Sequence, residues 1–95
     1  MELEEAREII RETDEAMAAL FARRMEAARE IAAYKRAHAL PIENKAQEAR
    51  VLEDRSKCIE DPALLPFYRQ FLRGTMEVSK DWQRSLTPPA RFGTM

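Results

Sequence analysis

The chain begins with a long run of helix-forming residues whose apolar positions repeat at helical spacing. Residues 2–38 contain no Gly and no Pro, and Ala, Glu, Arg and Met dominate them. Two series with a seven-residue spacing run through this segment: Leu3, Ile10, Met17, Arg24 and Ile31, and Ala6, Thr13, Leu20, Ala27 and Tyr34. The pattern predicts one unbroken helix of about 36 residues, roughly 54 Å long.

A helix of this length cannot bury its apolar series within one small domain. A compact chain of 95 residues has a radius of gyration of about 12–13 Å. The far half of the helix therefore needs a partner, most simply a second copy related by a twofold axis. The sequence predicts an intertwined homodimer.

A second helix is predicted after a short loop over residues 38–43. Pro41 removes an amide donor and disfavours helix in the residue before it, so it ends the first helix. Asn44 is a good N-cap, and Gln47 three residues later completes an approximate capping box. We expect this helix to run to about Cys58.

The third helix is predicted to extend to about Leu86. Asp61 followed by Pro62 is typical of a helix start, and Pro66 allows the start to lie there instead. Gly74 within this helix indicates a close helix–helix approach. The face expected to pack consists of Leu64, Tyr68, Leu72, Thr75, Ser79, Trp82 and Leu86.

These elements predict an all-α fold: a three-helix protomer with one long N-terminal helix. We expect residues 1–86 to form the domain and residues 87–95, which contain two prolines, to form a flexible C-terminal tail.

Composition excludes several classes of protein. Sixteen Lys and Arg against seventeen Asp and Glu give a net charge of −1, which argues against a nucleic-acid binder. The single cysteine, Cys58, cannot form an internal disulfide. The first ten residues lack the features of a signal peptide, and no stretch reaches the roughly 18 apolar residues of a membrane span. We therefore expect a cytoplasmic protein without membrane contact.

Basic side chains interrupt the apolar series of the first helix. Arg24 and Lys35 are eleven residues apart and so share a face, with Cα atoms about 16–17 Å apart. They leave room for a small anion between them, although both could equally extend along the surface into solvent. Arg7 lies roughly 25 Å from Arg24, so it could join the same site only from an antiparallel second copy.

Polar residues also mark the other two predicted helices. Ser79 and Gln83 form an i, i+4 pair on the apolar face of the third helix. Asn44, Gln47 and Glu48 lie in the first turn of the second, where the helix dipole favours anions, but a helix cap explains Asn44 and Gln47 adequately. Together these residues predict a polar, cation-rich pocket without a metal cluster or a nucleophile–base pair.

The order and spacing of these residues resemble the all-α class of chorismate mutases. The resemblance covers residues 6–86 through the runs AREIIRETDEAMAALFARRMEAAREIAAYK, LPIEN, QEARVL and VSKDWQ. Its most specific parts are the R-x6-D-x9-R-x10-K spacing of Arg7, Asp14, Arg24 and Lys35, and the S-x3-Q of Ser79 and Gln83.

The resemblance implies an intertwined dimer with two equivalent active sites that convert chorismate to prephenate, on the route to phenylalanine and tyrosine. This rearrangement needs no cofactor and no metal. By position, Arg24 and, in trans, Arg7 would bind the two carboxylates of the substrate. Lys35 and Gln83 would donate hydrogen bonds to the ether oxygen.

The resemblance also assigns the remaining site residues. Glu48 would accept a hydrogen bond from the ring hydroxyl, and Ser79 would assist carboxylate binding. Asn44 and Gln47 depart from the aspartate and arginine that are usual in this class, and Arg50 one turn further could partly substitute. We therefore expect Asn44 and Gln47 to contact the substrate, and we expect the enzyme to have reduced activity.

Three other functions fit the same sequence features. The first is an isochorismate-pyruvate lyase on the same fold, with a similar basic pocket. The second is a catalytically weakened helical dimer that serves as a binding or regulatory module, which the residues Asn44 and Gln47 favour. The third is a plain coiled-coil adaptor without affinity for anions.

Overall fold

The computed structural model describes residues 1–86, which fold into three α-helices. Helix α1 covers Leu3–Ala37, α2 covers Lys45–Ser56, and α3 covers Leu65–Ser85 after a 3₁₀ turn at Pro62–Leu64. No strand occurs within residues 1–86, so the predicted all-α fold with a long first helix is confirmed. The predicted tail, residues 87–95, lies outside the described part of the chain.

The C-terminus of α1 is closed by a left-handed residue that is not glycine. Ala39 has a φ of 53°, and its N–H donates to the carbonyl oxygen of Arg36 at 3.3 Å. The N–H of Leu40 donates to the carbonyl oxygen of Lys35 at 2.7 Å. This is the hydrogen-bond pattern of a Schellman motif, in which glycine usually takes the left-handed position. The chain thus leaves the helix before it reaches Pro41.

The start of α2 is capped as predicted, but the reciprocal partner differs. Asn44 Oδ1 accepts from the N–H of Gln47 at 3.1 Å, which confirms the N-cap. Its own N–H donates to Glu48 Oε2 at 3.3 Å. The capping box is therefore closed by Glu48, and its assignment to Gln47 was wrong. Glu48 lies one residue after Gln47 in the first turn, and its carboxylate reaches back to the N–H of the cap residue. Helix α2 also ends two residues earlier than the sequence predicts.

Both start signals before α3 are used, in succession. Asp61 Oδ1 accepts from the N–H of Ala63 at 2.9 Å and caps the 3₁₀ turn. Pro66 then lies in the first turn of α3, where its missing N–H costs nothing because that donor has no intrahelical partner.

Helix α3 packs against both other helices. The buried apolar residues are Ala28 and Ala32 of α1, Leu52 of α2 and Leu72 of α3. Neither alanine belongs to the two predicted apolar series of α1. The close approach predicted at Gly74 was wrong within the protomer, because a Cβ there would meet nothing within 4 Å.

The protomer is long and thin. It measures 63 × 27 × 16 Å, and its radius of gyration of 17.5 Å exceeds the value of about 12 Å for a compact chain of this length. Residues 1–23 are exposed except for the half-buried Ala6. The large exposed apolar side chains of α1 are Leu3, Ile9, Ile10, Met17, Leu20, Phe21, Ile31 and Tyr34. Within residues 1–86, no helix is long and apolar enough to cross a lipid bilayer.

Candidate active site

Arg24 and Ser79 join α1 to α3 at one end of the candidate site. The guanidinium of Arg24 donates to Ser79 Oγ, and Ser79 Oγ in turn donates to the carbonyl oxygen of Thr75 at 3.0 Å. Ser79 is buried and Arg24 is half-buried. The structure thus brings these two predicted site residues together.

Gln83 lies one turn further along both helices. Its Nε2 donates to the carbonyl oxygen of Ala28 at 2.9 Å, and the residue is only 6% exposed. Ala28 follows Arg24 by four residues, or about 6 Å along the helix axis. The Gln83 amide and the Arg24 guanidinium therefore lie in adjoining turns on one side of α1.

Trp82 fastens α3 to α1 beside these residues. Its Nε1–H donates to the carbonyl oxygen of Met25 at 3.1 Å. The guanidinium of Arg29 lies over its ring at 5.5 Å from the centroid, within cation–π range. These contacts fix the rotation of α3, which sets the directions in which Ser79 and Gln83 point.

Lys35 lies at the other end of the same face of α1. Its position is half-buried, and its Nζ donates to the carbonyl oxygen of Ile42 at 2.6 Å. Because an ammonium group has three N–H donors, this bond leaves two for a ligand. The loop between α1 and α2 thus holds the Lys35 ammonium on the side occupied by Ala28 and Ala32.

Glu48 on α2 has both carboxylate oxygens bonded. Oε1 accepts from Lys80 Nζ at 3.0 Å, and Oε2 accepts from the N–H of Asn44 at 3.3 Å. The side chain is 26% exposed. Each oxygen has a second lone pair, so the carboxylate can still accept a hydrogen bond from a ligand.

Lys80 is a residue of this region that the sequence did not reveal. It is 6% exposed, and its Nζ lies 2.9 Å from Glu77, 3.0 Å from Glu48 and 3.1 Å from Glu43. Hydrogen bonds to Glu77 and Glu48 raise the pKa of Lys80 above its ordinary range. The hydrogen bond from Lys80 lowers the pKa of Glu43. The only local signal was Glu77 three residues earlier, which is typical of any surface ion pair.

Asn44 and Gln47 are engaged in local structure. Asn44 caps α2, as described above, and Gln47 Oε1 accepts from Arg50 Nε at 3.2 Å and from its terminal nitrogen at 3.0 Å. Both residues are exposed, as is Arg50. The Arg50 guanidinium is therefore directed back to the first turn of α2.

Arg7 does not join the other basic residues within the protomer. It is exposed and pairs with Glu4 at 3.0 Å. Its seventeen-residue separation from Arg24 corresponds to about 25 Å along α1. One chain alone therefore supplies Arg24, Lys35, Ser79, Gln83 and Glu48.

An apolar groove of about 910 Å³ adjoins Arg24 between α1 and α3. Phe67 and Phe71 on its α3 side are 69% and 54% exposed. Gly74 also lines it, which places the missing side chain at a surface and not at a contact within the protomer. The lining residues are Met17, Ala18, Leu20, Phe21, Arg24, Phe67, Gln70, Phe71, Gly74, Thr75 and Val78.

The described residues contain no ready-made metal ligand set. Among residues 1–86, no three or more His, Cys, Asp or Glu side chains are grouped so that they could hold a metal ion. The guanidinium of Arg24, the hydroxyl of Ser79 and the amide of Gln83 lie in adjoining turns, and the Lys35 ammonium lies further along the same face of α1. The Glu48 carboxylate instead borders a second pocket, together with Lys80 and Glu77. The cationic and amide donors suit an organic anion.

The helical fold and this set of groups agree with the comparison to known families. The family model described as chorismate mutase type II matches residues 6–84. The chain belongs to this family, and the resemblance drawn from its motifs is confirmed. Neither the curated proteins nor the solved structures contain a significant match to it.

Proposed function

We propose that this protein is a chorismate mutase that rearranges chorismate to prephenate in the cytoplasmic route to phenylalanine and tyrosine. The observation that carries the proposal is the joint position of Arg24, Ser79 and Gln83. A half-buried guanidinium, a buried hydroxyl and a buried amide lie in adjoining turns. Membership of the chorismate mutase type II family supports the same reaction.

The basic groups bind the two carboxylates of the substrate. Arg24 binds one of them with the fork geometry of a guanidinium, and Ser79 assists at its side. The second carboxylate lies against Arg7 of a second copy, because Arg7 of the same chain is too distant. Binding of both carboxylates holds the enolpyruvyl ether side chain over the ring, in the compact conformer from which the substrate reacts.

Catalysis follows from hydrogen-bond donors fixed before the reaction begins. The carbon–oxygen bond of the ether breaks as the new carbon–carbon bond forms, so negative charge develops on the ether oxygen. Lys35 Nζ and Gln83 Nε2 donate to that oxygen. Ile42 and Ala28 already hold these two groups through their carbonyl oxygens. Such preorganised donors stabilise developing charge without reorganisation.

A second copy of the chain fills the apolar groove next to Arg24. The groove is lined by Phe67, Phe71 and Val78 of α3, which are exposed in the protomer. The apolar side chains along residues 1–23 of α1 are exposed as well. An antiparallel α1 from the second copy covers both surfaces and brings its Arg7 towards Arg24. The intertwined homodimer is therefore part of the proposal.

The first turn of α2 makes this enzyme slower than one with the usual residues. Gln47 and Asn44 carry no charge, and each is already bonded within the helix. A charge-assisted hydrogen bond that is missing lowers the rate or affinity by roughly ten- to a hundred-fold. Arg50, which is bonded to Gln47 Oε1, substitutes in part for the missing cation.

The same feature favours one second candidate function. A protein that binds the dianion but turns it over slowly could serve as a binding or regulatory module. The side-chain oxygen of Gln47 already accepts two hydrogen bonds from Arg50, which supports this function. The competing enzyme activity on the same fold is that of an isochorismate-pyruvate lyase.

One assay separates these possibilities. Purified protein is mixed with chorismate, the loss of chorismate absorbance is followed, and the product is identified by chromatography. We expect prephenate from the wild type, little from Arg24→Ala, and wild-type rates from Arg23→Ala, the exposed neighbour. Salicylate and pyruvate formed from isochorismate would establish the lyase instead. Binding without turnover of either substrate would establish the binding module.

A further inference from the structure

Lys80 is the one charged residue within residues 1–86 that is buried. It follows Ser79 directly on α3, but its side chain is directed to α2. Its ammonium contacts a carboxylate from each of three segments: Glu43 from the loop, Glu48 from α2 and Glu77 from α3 itself. Three N–H donors thus meet three acceptors, which is the full capacity of the group.

The environment of the three carboxylates identifies the one on which Lys80 acts. The side chains of Glu43 and Glu77 are 44% and 63% exposed, so water can orient and solvate them. Glu48 is 26% exposed, and both of its oxygens are bonded, one of them to Lys80. Without Lys80, Glu48 would keep only its 3.3 Å bond from the N–H of Asn44.

Stability alone does not account for a buried ammonium at this position. A buried ion pair gives little net stability, because the cost of removing the charges from water offsets their attraction. Lys80 could also pair with Glu77 on the exposed side of α3 without entering the helix interface. The arrangement observed instead directs the ammonium to Glu48, across the interface between α3 and α2.

We propose that Lys80 is a positioning residue that fixes the carboxylate of Glu48 to receive the ring hydroxyl of the substrate. This inference rests on the proposed function and on the contact with the ring hydroxyl that the family resemblance implies for Glu48. Lys80 itself does not touch the substrate, because its three donors are used. Through Glu48, it makes the site selective for a dianion that carries the hydroxyl over one that lacks it.

The hydroxyl contact is made in the bound substrate and in the transition state alike. Its loss therefore raises KM while kcat changes less. Lys80→Met should raise KM by roughly ten-fold or more, the loss expected for one charge-assisted hydrogen bond. Lys80→Arg, which keeps the charge, should recover part of this loss. Glu77→Gln is the matched control, since it removes a partner of Lys80 but leaves Glu48 unchanged.

A double-mutant cycle separates positioning from a structural role. If Lys80 acts through Glu48, Lys80→Met changes KM little in a Glu48→Gln background. A purely structural lysine would instead add its full effect in both backgrounds. Circular dichroism and thermal melting confirm that each variant folds. Should Lys80→Met fail to fold, Lys80→Gln, which keeps two N–H donors, takes its place in the cycle.

A binding measurement tests the inference without turnover. Calorimetric titration compares two bicyclic ether dicarboxylates that mimic the rearranging ring, one with the ring hydroxyl and one without. We expect the wild type to prefer the hydroxyl compound by roughly ten-fold, and Lys80→Met and Glu48→Gln to lose that preference equally. Wild-type preference in Lys80→Met, or none in the wild type, overturns the inference. If the wild type shows the preference but no turnover, the inference holds and the proposed reaction falls.

Discussion

Lys35 donates from Nζ to the carbonyl oxygen of Ile42 at 2.6 Å. One ammonium group therefore does two things: it closes the loop between α1 and α2, and it faces the side of α1 on which Gln83 binds Ala28. The loop restrains a side chain that would otherwise sample several rotamers. Loop geometry and donor placement are thus coupled through one hydrogen bond.

Lys35→Ala should depress turnover far more than folding. Removing one donor aimed at developing negative charge lowers kcat by about 10²–10³-fold. The fold loses a single hydrogen bond to one carbonyl, which costs about 1.5–3 kcal/mol when the donor is charged. Steady-state kinetics and thermal melting, measured on the same preparation, check both effects.

The control for this variant is Lys57→Ala, an exposed lysine at the end of α2. It should leave both kcat and the melting temperature near their wild-type values. If Lys35→Ala loses activity only in proportion to its loss of folded protein, Lys35 closes the loop and has no part in catalysis.

Arg7 and Arg24 should complement each other between subunits. Arg7→Ala and Arg24→Ala homodimers each lack one carboxylate ligand in both sites, so both should be nearly inactive. A dimer of one Arg7→Ala chain and one Arg24→Ala chain has one site with both arginines and one site with neither. Random reassembly of equal amounts should then restore about a quarter of wild-type activity, because half of the dimers are mixed.

The reassembled sample is compared with each variant unfolded and refolded alone. Activity that does not rise on mixing would place Arg7 and Arg24 in one chain or remove Arg7 from the site. Light scattering on the wild type gives the independent test, and a stable monomer mass at micromolar concentration would rule out the proposed dimer.

Gln47→Arg should raise kcat/KM, because it adds a cation to the first turn of α2 at the position where the family resemblance implies an arginine. The gain should be about ten-fold, the effect of one charge-assisted hydrogen bond. The new arginine also displaces Arg50, which now bonds to Gln47 Oε1. Arg50→Ala in the wild-type background measures what Arg50 contributes to kcat/KM. An unchanged kcat/KM in Gln47→Arg means that position 47 does not face substrate.

Ala39→Gly should stabilise the fold by about 1 kcal/mol, since glycine adopts positive φ without the penalty that a Cβ brings. Ala39 has a φ of 53° at the end of α1. Ala37→Gly, within the last turn of the same helix, is the matched control and should destabilise by about 1 kcal/mol. Melting temperatures that move in the same direction for both would show that Ala39 does not hold the left-handed conformation in solution.

The helices were predictable because local signals define them. The glycine- and proline-free run, the Asn44 cap and the Asp61–Pro62 pair each act within a few residues of the element they start or end. The Schellman end of α1 was missed because alanine, not glycine, occupies its left-handed position. The role of Glu48 in the capping box was missed because Gln47 and Glu48 can both reach the cap.

The candidate site was predictable where its residues share one helix face. Arg24 and Lys35 follow from spacing, as do Ser79 and Gln83. Lys80 could not be predicted, since its burial depends on Glu43 and Glu48, more than thirty residues away in sequence. Within the protomer, the environment of Gly74 was misjudged for a related reason: its neighbour is an open groove, which spacing alone does not distinguish from a packed contact.

The buried apolar residues of the protomer have a consequence for the proposed dimer. They are two alanines and two leucines, Ala28, Ala32, Leu52 and Leu72, and none of the described side chains is completely buried. In the proposed dimer, most of the apolar surface that leaves water lies between the two copies, so folding and association would be one equilibrium. For such a dimer, dilution favours the unfolded state as a denaturant does. The temperature at which half of the protein is unfolded then depends on protein concentration.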